Sequence, residues 1–220
     1  MATTVGVVVF PGTNCEMDAV EAVGGLGGVG RLLWHGDADL GDVDAVIVPG
    51  GFAHGDYLRP GAIARFSPAM AAVARFAADG GPVVGICNGF QVLTEAGLLP
   101  GALQKNAGLK FLCQPTTLRV ESTDSSLTGS AELGAELSIP INHFEGNYTC
   151  DERTLARLRD EERIVLRYVD NPNGSVDDIA GVCNEARNVV GLMPHPERAC
   201  DDLLGSADGA VLLRSLLDAA

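Results

Sequence analysis

Val83-Val84-Gly85-Ile86-Cys87-Asn88-Gly89-Phe90-Gln91 sets one cysteine between two glycines where an apolar run gives way to a helical pattern. Pro82 opens the run; Val83, Val84 and Ile86 read as a buried strand, and Gln91 to Leu98 read as the helix behind it. A G-x-C-x-G corner lifts a thiol off the end of a sheet on a strained backbone, and its small neighbours let strand and helix pass closely. The helix then aims unpaired N–H groups and the positive end of its dipole at the sulfur, which favours thiolate over thiol. Most cysteines are small apolar packing groups. The symmetrical glycines make Cys87 a candidate nucleophile instead.

Upstream of this corner, short β-branched runs alternate with helical patterns. Val5 to Phe10, Gly30 to Trp34 and Ala45 to Val48 read as strands, with helices over Glu16 to Val23 and Ile63 to Ala78. Such alternation predicts an α/β fold: an open, mostly parallel central sheet with helices on both faces and its ligands at the carboxyl ends of the strands. The turns Pro11-Gly12-Thr13-Asn14 and Pro49-Gly50-Gly51-Phe52 would then meet Cys87 in one crevice. Downstream, Thr117 to Glu121, Leu137 to Ile141, Ile164 to Val169, Ala180 to Asn184 and Val189 to Met193 predict a smaller antiparallel sheet. Asp151 to Arg163 carries both charge signs densely and reads as a solvated helix. Gly24 to Gly30 reads as a mobile loop. With no repeat and no linker in sight, residues 1–220 read as a single domain.

Composition narrows the partners. A formal net charge of -14 repels phosphate backbones and anionic lipid headgroups, so neither nucleic acid nor membrane is expected. The six cysteines, among them Cys15, Cys113, Cys150, Cys183 and Cys200, form no C-x-x-C pair, and no metal site is predicted. Met1 to Phe10 lacks a basic leader pattern, and the apolar stretch Ala62 to Ala78 is broken by Arg65 and Arg75. A cytoplasmic setting fits these features. No phosphate-binding glycine loop of the G-x-x-x-x-G-K-[ST] or G-x-G-x-x-G type is present, so no nucleotide cofactor is expected in this chain.

A thiolate nucleophile needs a base, and the base an orienting group. Of His35, His54, His143 and His195, the last stands apart, because Pro194 and Pro196 fix the backbone on both sides of it directly after an apolar run. Glu197, two residues on, would share a face with it in an extended segment and hold the imidazole tautomer. Backbone amides for an oxyanion are available at Gly51, Phe52 and Asn88.

With these residues in place the chain resembles the class I glutamine amidotransferases, whose corner reads G-x-C-x-G-x-Q and whose last strand leads into H-P-E. Within that family it is most similar to the glutaminase subunits that serve purine biosynthesis. The likeness runs through Phe10 to Glu16, Gly50-Gly51-Phe52, Gly55-Asp56-Tyr57-Leu58-Arg59, the Cys87 corner, Glu145-Gly146-Asn147-Tyr148 and Gly191 to Arg198. The resemblance implies Cys87 as nucleophile, His195 as acid and base, Glu197 as its orienter, and Gln91 and Gly50 beside the L-glutamine substrate. Ala53-His54 and Asn142-His143-Phe144 depart from the family pattern, where Ser-Tyr and Ala-His-Gly are expected.

The resemblance further implies a large synthetase subunit as partner, joined by a small third subunit. That partner would hold the ATP and magnesium and receive ammonia through a protein channel. Two other readings of the residues stand beside it: a free-standing cysteine amidase or γ-glutamyl hydrolase, active alone, and an inert interaction subunit that keeps the fold without turnover.

Overall fold

In the computed structural model, which describes residues 2–220, the chain runs β1 (Thr4–Val9), α1 (Glu16–Gly25), β2 (Val29–Trp34), β3 (Ala45–Val48), α2 (Pro68–Ala78), β4 (Val83–Ile86), α3 (Asn88–Glu95) and β5 (Ala102–Gln104). It continues through β6 (Leu112–Val120), β7 (Glu136–His143), β8 (Asn147–Thr149), α4 (Glu152–Asp160), β9 (Ile164–Tyr168), β10 (Ile179–Cys183), β11 (Val189–Leu192) and α5 (Gly209–Asp218). A 9-stranded sheet in the order β2-β1-β3-β4-β11-β10-β9-β6-β7 organises it.

From β2 to β11 every neighbour is parallel, and from β11 to β7 every neighbour is antiparallel. β4 lies between β3 and β11, with Val84 in register with Ile47 on one side and Val190 on the other. All residues of β3, β4 and β11 are buried, as expected of parallel strands covered on both faces. Because β1, β3, β4 and β11 point the same way, the turns at their carboxyl ends come together at one edge. That edge lies where the order reverses around β1, the usual place for a ligand crevice.

The smaller antiparallel sheet is the pair β5 and β8; the other antiparallel strands extend the central sheet instead of forming a layer of their own. The predicted helix over Ile63 to Ala78 is split. Residues Ala64–Phe66 form a 3-10 turn and Ser67 is extended (ψ 144), because Pro68 disfavours helical geometry in the residue before it and suits the first turn of α2. α3 starts at Asn88, directly behind the corner, rather than at Gln91, and ends before Gly97 turns left-handed at φ 73. The predicted glycine loop shrinks to Leu26, Gly27 and Gly28, since α1 runs through Gly25 and β2 begins at Val29. One continuous apolar core joins both halves of the sheet to α1, α2, α3 and α5. No helix among the described residues is long and apolar enough to cross a membrane.

Candidate active site

Cys87 occupies the corner between β4 and α3 with φ 52 and ψ -106, a conformation L-residues adopt only under constraint. The constraint is steric: a Cβ on Gly89 would lie 1.7 Å from the Val48 carbonyl oxygen, so only glycine lets α3 pass this close to β3. The backbone of Gly50, at the end of β3, packs into the same point. A Cβ there would stand 2.8 Å from His195 Cε1, 3.0 Å from Cys15 Sγ and 3.5 Å from Cys87 Cβ. One missing methyl group therefore lets a thiol, an imidazole and a second thiol converge. The Cys87 sulfur itself lies 3.7 Å from the Asn142 carbonyl oxygen.

β11 delivers His195. Met193 N–H donates to the Ala180 carbonyl and His195 N–H to that of Pro140, which fixes the backbone on both sides of Pro194. Residues Pro196–Arg198 then form a 3-10 turn, not the extended segment the spacing suggested. Glu197 nevertheless reaches the ring, and the His195 Nδ1–H donates to its Oε1 at 2.6 Å. His195 is 1% exposed and Glu197 3%. Burial by itself disfavours the imidazolium, but the Glu197 carboxylate and then Cys87 outweigh it and hold the His195 pKa well above the ordinary value. Its Nε2 is buried without a hydrogen-bond partner, as a proton carrier waiting for a substrate atom would be.

Cys15, at the start of α1, enters the sequence reading only as one of six scattered cysteines; the structure sets it against the imidazole. Cys15, His195 and Glu197 offer ligand atoms within 4.8 Å of one another, a donor set a metal ion could use. Two of those groups are already engaged with each other through the Nδ1 bond. Arg198 donates to Cys15 Sγ at 3.3 Å and to Asp18 Oδ2 at 2.9 Å, so this second thiol is clamped from outside.

The predicted oxyanion donors divide. Asn88 N–H lies in the first turn of α3, where the helix supplies no acceptor. Phe52 N–H donates to the Gly12 carbonyl at 2.8 Å and is thereby already engaged in this arrangement. Gly51, between them, has φ 144 and lies against the Thr13 and Asn14 backbone. Gln91 lines the cavity beside Cys87 with both ends of its amide engaged: Nε2 donates to the Glu145 carbonyl at 2.5 Å and Oε1 accepts from Asn88 Nδ2 at 2.8 Å.

The other histidines separate by surroundings. His35 and His54 stack edge-on at 5.1 Å beside Phe10 and Trp34, outside the cavity, and burial and then His35 lower the His54 pKa. His143 lines the cavity, but burial first and His195 second push its pKa down to about 4, and its Nδ1 is tied to Asn106 Oδ1. The sequence also left Asp56 without a role. It lies in the cavity wall, where burial first, opposed by a hydrogen bond from Asn88 and aided by Glu145, raises its pKa to about 6. Its place in the Gly55-Asp56-Tyr57-Leu58-Arg59 segment, one of those that carry the family likeness, was the available signal. The charged segment 151–163 lies away from the site: Asp151 caps α4 through Thr154 N–H, Arg157 pairs with Glu161 and Glu185, and Arg159 pairs with Asp177.

Comparison with known proteins gives a consistent result. A family model of the CobB/CobQ-like glutamine amidotransferase domain matches residues 2–208. The chain is 61% identical over 216 residues to phosphoribosylformylglycinamidine synthase subunit PurQ of Rubrobacter xylanophilus, covering 98% of each. Among solved structures it superposes on a chain of PurLQS from Thermotoga maritima with a TM-score of 0.91 at 43% identity, covering 99% of both chains. A glutamine amidotransferase from the same organism shares the fold, with a TM-score of 0.64 at 15% identity.

Proposed function

This chain belongs to the CobB/CobQ-like glutamine amidotransferase family, and from that premise we propose that Cys87, His195 and Glu197 hydrolyse L-glutamine and release its amide nitrogen as ammonia. As the glutaminase subunit of phosphoribosylformylglycinamidine synthase, the chain hands that ammonia to the large synthetase subunit in purine biosynthesis. The full-length likeness to PurQ and to a chain of PurLQS supports this assignment. ATP and magnesium belong to the synthetase in this reading, and a small third subunit completes the complex. The work is assigned to the cytoplasm, where free thiols persist.

The chemistry follows from the groups in the cavity. The Cys87 thiolate attacks the side-chain amide carbon, and the carbonyl oxygen takes up the negative charge near the amides of Gly51 and Asn88. His195 Nε2–H gives its proton to the leaving nitrogen, the C–N bond breaks, and a γ-glutamyl thioester remains on Cys87. Deprotonated His195 then takes a proton from water as the water attacks the thioester; the C–S bond breaks and glutamate leaves. Glu197, bonded to Nδ1, stabilises the imidazolium in both steps. The Phe52 N–H, now spent on Gly12, supports a further element of this reading: the partner re-aims the turn, so the isolated chain is a weak glutaminase.

The observation that carries the proposal is the convergence of Cys87 and the unpartnered His195 Nε2 on one buried point. A diazo-ketone analogue of glutamine, applied to the chain with and without the synthetase, tests it by peptide mapping. Label on Cys87, stronger in the complex, retained in Cys15→Ser and lost in Cys87→Ala, is expected. Label on Cys15 alone, or on neither thiol, overturns the assignment.

A further inference from the structure

The carboxylates in the cavity wall are those of Asp56 and Glu145, and the mechanism above uses neither. The cavity, about 80 Å³, is shaped for a ligand: the unpartnered Nε2 atoms of His195 and His143, both buried, belong to residues of its wall. Asp56 is held firmly in place. Asn88 Nδ2 donates to its Oδ1 at 3.0 Å, and Asn88 Oδ1 in turn accepts the Ala53 N–H at 2.9 Å, so the carboxylate is oriented by the residue next to the nucleophile. Its electrostatic surroundings are unfavourable. What acts on it is burial and the neighbouring Glu145, while the arginine of the cavity wall, Arg198, is engaged by Asp18 and Cys15. A half-buried carboxylate facing a second one is costly unless a cation enters between them.

Glutamine brings such a cation. With its side-chain amide at Cys87, its primary ammonium is left to the other groups of the same cavity wall, among them Asp56 and Glu145. We propose that Asp56, supported by Glu145, binds the α-ammonium of glutamine and is the residue by which the site distinguishes an amino-acid amide from a simple amide. Asp56 is thus a specificity residue that touches substrate without taking part in bond making. The inference rests on the glutamine reading of the site and adds the group that recognises the charged end.

The test uses the assembled complex and two substrates: glutamine and 4-carbamoylbutanoate, which is glutamine without its α-ammonium. Asp56→Asn retains the oxygen that accepts from Asn88 but loses the charge; Asp56→Glu retains the charge. In Asp56→Asn, KM for glutamine should rise about 10- to 100-fold with kcat within about twofold. Its kcat/KM for 4-carbamoylbutanoate should stay near the wild-type value, so discrimination between the two substrates collapses, and Asp56→Glu should restore part of it. Equal losses on both substrates would assign Asp56 a structural role through Asn88 and overturn the inference. An unchanged KM for glutamine would overturn it as well. If the wild-type complex releases no ammonia from glutamine, the glutamine reading falls and this inference with it; wild-type turnover with unaltered discrimination in Asp56→Asn removes the inference alone.

Discussion

The two walls of the cavity are built in opposite ways. The corner after β4 is buried throughout, and Cys87 is kept at positive φ by glycines pressed against neighbouring backbone. The facing segment, from Phe52 to Leu58, also places His54, Asp56 and Leu58 at positive φ; the rings of Phe10 and His35 hold His54 and Asn88 holds Asp56, but Leu58 is exposed and unpacked, and Phe52 and Tyr57 are exposed too. Each such non-glycine residue stores roughly 1–2 kcal/mol. Strain in the corner is enforced by the core; at the exposed end of the facing turn, at Leu58, little packing enforces it. A nucleophile built the first way stays in place, and a turn built the second way can be rearranged by a partner at small cost. Under the proposed function, a partner would then switch the glutaminase without moving its sulfur.

The largest effect should come from the corner. Cys87→Ala is expected to lower glutamine-dependent synthesis by the complex about 10³-fold or more, while synthesis from added ammonia persists. Parallel assays with the two nitrogen sources check this; loss of both would mean that the corner organises the partner as well as the chemistry. Next comes Gly89→Ala, whose Cβ would meet the Val48 carbonyl oxygen at 1.7 Å. A destabilisation of about 3 kcal/mol, read from urea unfolding, is expected. A loss below about 1 kcal/mol would show that the corner yields as easily as the facing turn.

Glu197→Gln probes the buried pair behind the corner. It keeps an acceptor for the His195 Nδ1–H but removes the charge that raises the imidazole pKa. Turnover should fall about 10²-fold. Because the working ion pair requires His195 protonated, activity is lost as pH rises through the His195 pKa. Removing the carboxylate charge lowers that pKa, so the alkaline limb of the kcat/KM profile should move to lower pH. An unmoved limb would assign the upper pKa to another group.

The sequence made the first wall legible and the second opaque for physical reasons. The corner is specified locally: Gly85, Cys87 and Gly89 fix its geometry, and Pro194 and Pro196 bracket His195, so the corner and the histidine that meets it could be picked out without contacts. Strands β3, β4 and β11 were equally plain as short apolar runs. What sequence could not supply was long-range pairing. Cys15 meets His195 only because β1, β3 and β11 share one direction, and Asp56 comes to share a cavity wall with Glu145 only in the folded chain. The continuity of parallel and antiparallel strands was hidden because β11 pairs with β4 on one side and β10 on the other, and a strand's own residues do not declare both partners. The break at Ser67 was legible in Pro68, but the apolar run on either side of it suggested one helix.

The smallest expected effect lies in the facing turn and is the sharpest test of unopposed strain. Leu58 has φ 73 and is 84% exposed, so it holds a left-handed conformation without burying its side chain. Asparagine tolerates that conformation far better than leucine, through its short polar side chain. Replacing leucine there removes almost no apolar burial, so the relief of strain should dominate the outcome. Leu58→Asn is thus expected to raise the stability of the chain by about 0.5–1 kcal/mol, measured as a shift in urea midpoint at unchanged slope. Loss of stability would mean that the exposed leucine is held by contacts as firmly as the corner is, and the contrast between the walls would disappear.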